Sequence, residues 1–112
     1  MDKERCFAII EEVNSTIMSW ANEKAISIHR IENVATFENW DNGIGVYVFY
    51  LDDEQKEESD IQGYNSKIKQ QYLDLLKNLG YPFDKFPNAI FYFDSHENVI
   101  KNYEGSYFYR LR

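Results

Sequence analysis

At 112 residues and 13.4 kDa the chain has the length of one domain, and a single compact unit is expected over residues 1–112. Its 44% apolar and 28% charged residues make a foldable mixture rather than a disordered one. Twelve Lys and Arg against nineteen Asp and Glu leave a net charge of −7, which makes phosphate repulsive over most of the surface and excludes a general DNA, RNA or anionic-membrane binder.

Residues 3–22 read as an amphipathic helix. Cys6, Phe7, Ile10, Val13, Ile17 and Trp20 recur at steps of three and four, with Asp2 to cap the start and Glu4 in the first turn. The period then changes. Residues 25–31 alternate as a strand at Ile26, Ile28 and Arg30, residues 34–40 form a second, and Asp41-Asn42-Gly43 is the strongest turn signal in the chain. The strand over 44–51 is apolar on both faces, with Ile44, Val46, Val48 and Tyr50 on one side and Tyr47, Phe49 and Leu51 on the other. It is expected to be central and covered on both sides.

Residues 52–60 are expected to form a solvated loop. A helix capped by Asn65 or Ser66 follows, running to Leu79 with Ile68, Tyr72, Leu75, Leu76 and Leu79 on its buried stripe. Gly80 and Pro82 end it. Residues 89–94, 99–103 and 106–112 read as three short strands joined by turns at 95–98 and 104–105. The resulting order, α-β-β-β-α-β-β-β, implies an α+β domain: an antiparallel sheet of five to six strands with two helices packed on one face.

The lone Cys6 cannot form an internal disulfide, and its place on the first helix's apolar stripe marks it as a buried hydrophobe rather than a nucleophile. The charged residues among the first twenty exclude a signal-peptide core, and no apolar run approaches the length of a membrane span. A cytoplasmic location is therefore expected. No phosphate-cradling glycine loop occurs. Neither a cofactor nor a metal is expected, since one Cys and two separated His do not make a zinc site. An EF-hand starting at Asp52 fails at its fifth and sixth positions, Lys56 and Glu57.

Charge is unevenly spread. Residues 1–60 hold fourteen acids and five bases, whereas residues 61–112 hold five acids and seven bases. The densest feature is Asp52, Asp53, Glu54, Glu57, Glu58 and Asp60, offset only by Lys56. Such a run attracts a basic partner and speeds its encounter, although many acidic runs serve only solubility. Trp40 and Asp41 before the central strand, Tyr47 on it and Tyr64 after the run add aromatic anchors of the kind that dominate protein interfaces.

The acidic α+β character, the charged hairpin-and-loop region and the aromatic ending in Phe91-Tyr92-Phe93-Asp94 and Gly105-Ser106-Tyr107-Phe108-Tyr109 together resemble the small immunity proteins of bacterial contact-dependent growth inhibition and related polymorphic toxin systems. The resemblance is one of type and carries over no functional residue. It implies a non-enzymatic cytoplasmic protein, monomeric when free, that binds and neutralises a cognate toxin domain with a basic face, such as a nuclease. Nuclease clefts are cationic because they hold phosphate, so dense carboxylates suit that task.

Two rivals come from other classes. A small hydrolase or ribonuclease would use His29 or His96, and a histidine pair would need both rings in one cleft with a cation beside them. Two histidines in a chain of this length are otherwise ordinary usage, and His96 falls in a turn where a polar residue is expected anyway. An acidic adaptor subunit would instead use its aromatics against a permanent partner. The closing segment, with Tyr107, Tyr109 and Leu111 on one face, reads as a packing strand in preference to a base-stacking surface.

Overall fold

The computed structural model describes residues 3–35 and 43–111. Three strands and five helices follow in the order α1 (Lys3–Glu23), β1 (Ile28–Ala35), β2 (Ile44–Tyr50), α2 (Asp53–Gln62), α3 (Tyr64–Asn78), β3 (Ala89–Ser95), α4 (His96–Asn102) and α5 (Tyr107–Arg110). The domain is α+β, but the expected antiparallel sheet of five to six strands with two helices is overturned. The sheet has three strands in the order β1-β2-β3, antiparallel between β1 and β2 and parallel between β2 and β3. The parallel pair is possible because the connection between β2 and β3 carries two helices, long enough to return the chain to the edge where β2 began.

One core holds the fold. Ile9, Ile10, Val13, Ile17 and Ala21 of α1 meet Val46, Val48 and Tyr50 of β2, with Ile68, Tyr72 and Leu76 of α3 completing the layer. Cys6 is fully buried in it, while Phe7 is 46% exposed, so the buried stripe of α1 is centred on Cys6, Val13 and Ile17, extends to Ile9 and Ala21, and leaves Phe7 outside it. A polar cluster ties the layers together: the Tyr72 hydroxyl donates to Asn14 Oδ1 at 2.6 Å, and Asn14 Nδ2 donates to Asn33 Oδ1 at 2.7 Å.

Each corrected element has a local cause. Residues 52–60 are not a loop. Asp52 accepts from the Gln55 N–H at 2.8 Å as an N-cap, acids fill the first turn where the helix dipole favours them, and Gly63 ends α2 at φ +76°. Residues 99–103 are not a strand. The Ser95 hydroxyl caps α4 by accepting from the Asn98 N–H at 3.0 Å, and Glu97 pairs with Lys101 one turn on at 3.1 Å. Of the strand expected over 106–112, residues 106–111 likewise do not form one, since Ser106 accepts from the Tyr109 N–H at 3.3 Å and winds α5; residue 112 lies outside the described residues.

The two strands expected over 25–31 and 34–40 are replaced, as far as residue 35, by the single strand β1; residues 36–40, with the turn residues Asp41 and Asn42, lie outside the described residues. A bulge in β1 resets its alternation. Ile28 pairs with Tyr50 and Arg30 with Phe49, leaving His29 as the extra residue. Past it, Ile31 and Asn33 oppose the core-facing Val48 and Val46, while Arg30, Glu32 and Val34 join the outer face.

Candidate functional site

The outer face of the sheet is laid out by register. Its rows are Val34–Gly45–Ile90, Glu32–Tyr47–Tyr92 and Arg30–Phe49–Asp94. The Tyr47 and Tyr92 rings stack at 4.6 Å between centroids. The C-terminal segment crosses the last row, with Tyr107 edge-on to Phe49 at 4.8 Å and the Arg110 guanidinium carbon 5.4 Å from the Tyr47 ring and 5.6 Å from that of Tyr103.

Asp94 anchors that segment. It is 8% exposed and accepts from Arg110 Nε at 2.5 Å, from the Ser95 N–H at 2.8 Å and from Asn98 Nδ2 at 2.9 Å. Burial alone would raise its pKa. The hydrogen bonds from Arg110, Ser95 and Asn98 outweigh burial and hold the carboxyl below its ordinary value.

At the end of the sheet where β1 begins and β3 finishes, the two histidines meet. Their ring centroids are 4.4 Å apart. His96 Nδ1 lies 2.7 Å from the Tyr107 hydroxyl, and the Arg30 guanidinium sits 4.0 Å above the Tyr107 ring while pairing with Glu32. Desolvation first, then the charges of His96 and Arg30, lower the His29 pKa. The bulge explains the contact, because the extra residue is the one re-aimed toward α4.

The acidic run lies across the same end of the sheet as α2. Asp53, Glu54, Glu57, Glu58 and Asp60 are all exposed. Their surroundings differ. Asp52 is used as the cap, Asp53 accepts from the Ser95 hydroxyl while its N–H donates to Glu97 at 3.0 Å, and Asp60 accepts from Asn65. One flank of α2, with Asp53 and Glu57, faces Asp94 and Asn98 across a cleft; the other, with Gln55, Glu58 and Ser59, faces Tyr50 and Tyr64.

Of the residues singled out from sequence, the fold therefore brings Tyr64 beside the acids. Tyr47 is placed on the outer face of the sheet, whereas Tyr64 packs against the core on the opposite side. Trp40 and Asp41 lie outside the described residues. The parts that Arg30, Asp94 and Arg110 play in this geometry were missed by sequence reasoning. Asp94, an acid closing an apolar strand, was the one visible signal among them.

Among the described residues no group of three or more His, Cys, Asp or Glu side chains is placed to hold a metal ion. No described helix is long and apolar enough to cross a membrane. No family model, no characterised protein and no solved structure matches the chain.

Proposed function

We propose that the chain is a non-enzymatic binding protein that neutralises a toxin domain with a basic face, in the manner of a bacterial cytoplasmic immunity protein. The observation that carries this reading is α2: a capped helix that presents Glu54, Glu57 and Glu58 to solvent beside Asp53 and Asp60, with Lys56 the one cation on the helix. Ordered carboxylates on a rigid element make a more specific electrostatic surface than a loop of the same composition. Tyr64 supplies an aromatic group at the edge of that surface.

The test has two parts. The C-terminal domain of the protein encoded immediately upstream of this gene is expressed in a test bacterium with and without the chain, and survivors are counted; rescue is expected. Glu54, Glu57 and Glu58 are then reversed to lysine together. Asp52 and Asp53 are left intact because they hold the helix. Association with the toxin domain should slow about tenfold or more at low salt with the fold unchanged. Equal killing in both strains, or an unaltered association rate, overturns the reading.

One observation favours a second reading. The 4.4 Å contact between His29 and His96, with Arg30 adjacent, brings together the groups a ribonuclease-type acid–base pair requires. Replacing both histidines with alanine decides it, because a binding protein keeps its function and an enzyme of this kind loses it.

A further inference from the structure

We infer that the free edge of β3 pairs antiparallel with β3 of a second copy of the chain, joining two three-stranded sheets into one continuous sheet. This pairing is independent of the toxin-neutralising role, and it stands against the free monomer that the resemblance implies.

β3 is the last strand in the order β1-β2-β3, so one side of it carries no strand. The register says which backbone groups lie on that side. The Ile44 N–H donates to the Asn88 carbonyl at 2.9 Å, and Ile44 is level with Ala89. In a parallel ladder this turns the N–H and C=O of Ile90 and Tyr92 toward β2, and those of Ala89, Phe91 and Phe93 away from it. Among the described residues, none hydrogen-bonds these outward groups.

The two edges of the sheet differ. β1 carries Arg30, Glu32 and a bulge, devices that keep an edge from pairing. The segment 89–93 has no charge, no proline and no bulge. Such an edge takes an extended strand, because only a strand meets alternating N–H and C=O groups in step.

The segment is complementary to itself. A two-fold axis through Phe91 sets Ala89 opposite the second copy's Phe93, and every outward N–H of 89–93 then meets a carbonyl. On the outer face the same axis places Ile90, 53% exposed, against the second copy's Tyr92, 41% exposed, which covers both. Centring the axis one residue later would instead bring Asp94, already held by Arg110, opposite Ile90. Charge sets the salt response. Each copy carries a net −7, and Lys69 Nζ lies 5.8 Å from the Phe91 ring, so like charges approach near the axis. Pairing therefore tightens as salt rises, opposite to a carboxylate surface meeting a basic domain.

The test is sedimentation equilibrium of the full chain, with NMR amide exchange at the same concentrations. A monomer–dimer equilibrium is expected, with a dissociation constant on the order of 10⁻⁵–10⁻⁴ M for so small a contact, tighter at about 0.5 M salt than at about 0.05 M. The N–H groups of Ala89, Phe91 and Phe93 should exchange more slowly as dimer forms, whereas those of Ile90 and Tyr92, already in the ladder, stay protected throughout. Ile90→Glu, an exposed change, should weaken association about tenfold or more. Ala89→Pro removes an outward donor and no bond to β2, so it should weaken association about tenfold with the chain still folded.

A chain that stays monomeric up to about 1 mM overturns the pairing. So does a dimer in which Phe91 and Phe93 gain no protection, or one that Ile90→Glu leaves unchanged. Protection that appears only on adding the toxin domain gives the edge to a strand of that domain and likewise overturns pairing between copies.

Discussion

His29 and His96 lie far apart in sequence, yet their rings sit 4.4 Å apart between centroids and 35° from parallel. The contact joins the bulge of β1 to the first residue of α4, and the Tyr107 hydroxyl beside His96 extends it to α5. The start of β1 and the C-terminal segment are thus linked through titratable rings.

That link makes stability depend on pH in a defined direction. Well above 6.5 His29 is neutral in both the folded and unfolded chain and contributes nothing to the dependence. As pH falls below 6.5 the unfolded chain takes up the proton first, because the folded pKa is lowered, so stability declines until pH passes the folded value. His96→Asn should raise the His29 pKa toward 6.5 and flatten this decline. NMR titration of the imidazole Cε1–H resonances checks both, and an unmoved His29 pKa in the variant would refute the coupling.

Arg110→Ala should lower stability by about 1–3 kcal/mol in chemical denaturation, since it leaves the mostly buried Asp94 without its cation and frees Tyr47 and Tyr103 of their guanidinium. Arg110→Lys should recover only part of the loss, because an ammonium lacks the planar geometry. The same pair governs acid sensitivity. The lowered Asp94 pKa contributes stability that is fully present well above the unfolded value of 3.8 and lost as pH falls through the folded one. The Arg110→Ala variant should show less of that loss.

Gly43→Ala should destabilise by about 1–3 kcal/mol. An added Cβ would lie 1.7 Å from the Asn88 carbonyl oxygen, the same oxygen that accepts from the Ile44 N–H at 2.9 Å where the parallel ladder begins. Backbone must move for the methyl to fit. A melting temperature equal to that of the parent chain would contradict this packing.

Asp52→Ala should cost about 1 kcal/mol by removing the α2 cap, whereas Glu54→Ala, an exposed change within the same acidic run, should stay within about 0.5 kcal/mol. Equilibrium urea unfolding of the two variants separates the acid that builds the helix from one that faces solvent.

Periodicity by itself determined α1, β2, α3 and β3, because each carries its own pattern: a stripe at steps of three and four on the helices, and contiguous apolar runs on the strands. Charge counting identified the acidic run. Only the tertiary structure decided the rest. Val99 and Ile100 look like strand residues, but one hydroxyl cap at Ser95 and the Glu97–Lys101 pair wind them into α4, with Val99 buried and Ile100 exposed. The β1 bulge changes the alternation by one residue, which no pattern of apolar residues announces, and it places His29 against His96 and turns Arg30 toward Tyr107. Pairing β2 with β3 in parallel likewise depends on where α2 and α3 return the chain. Local sequence thus determines which segments are helix or strand where one periodicity dominates. The meeting of His29 with His96 and of Arg110 with Asp94 arises from long-range packing, which no residue encodes alone.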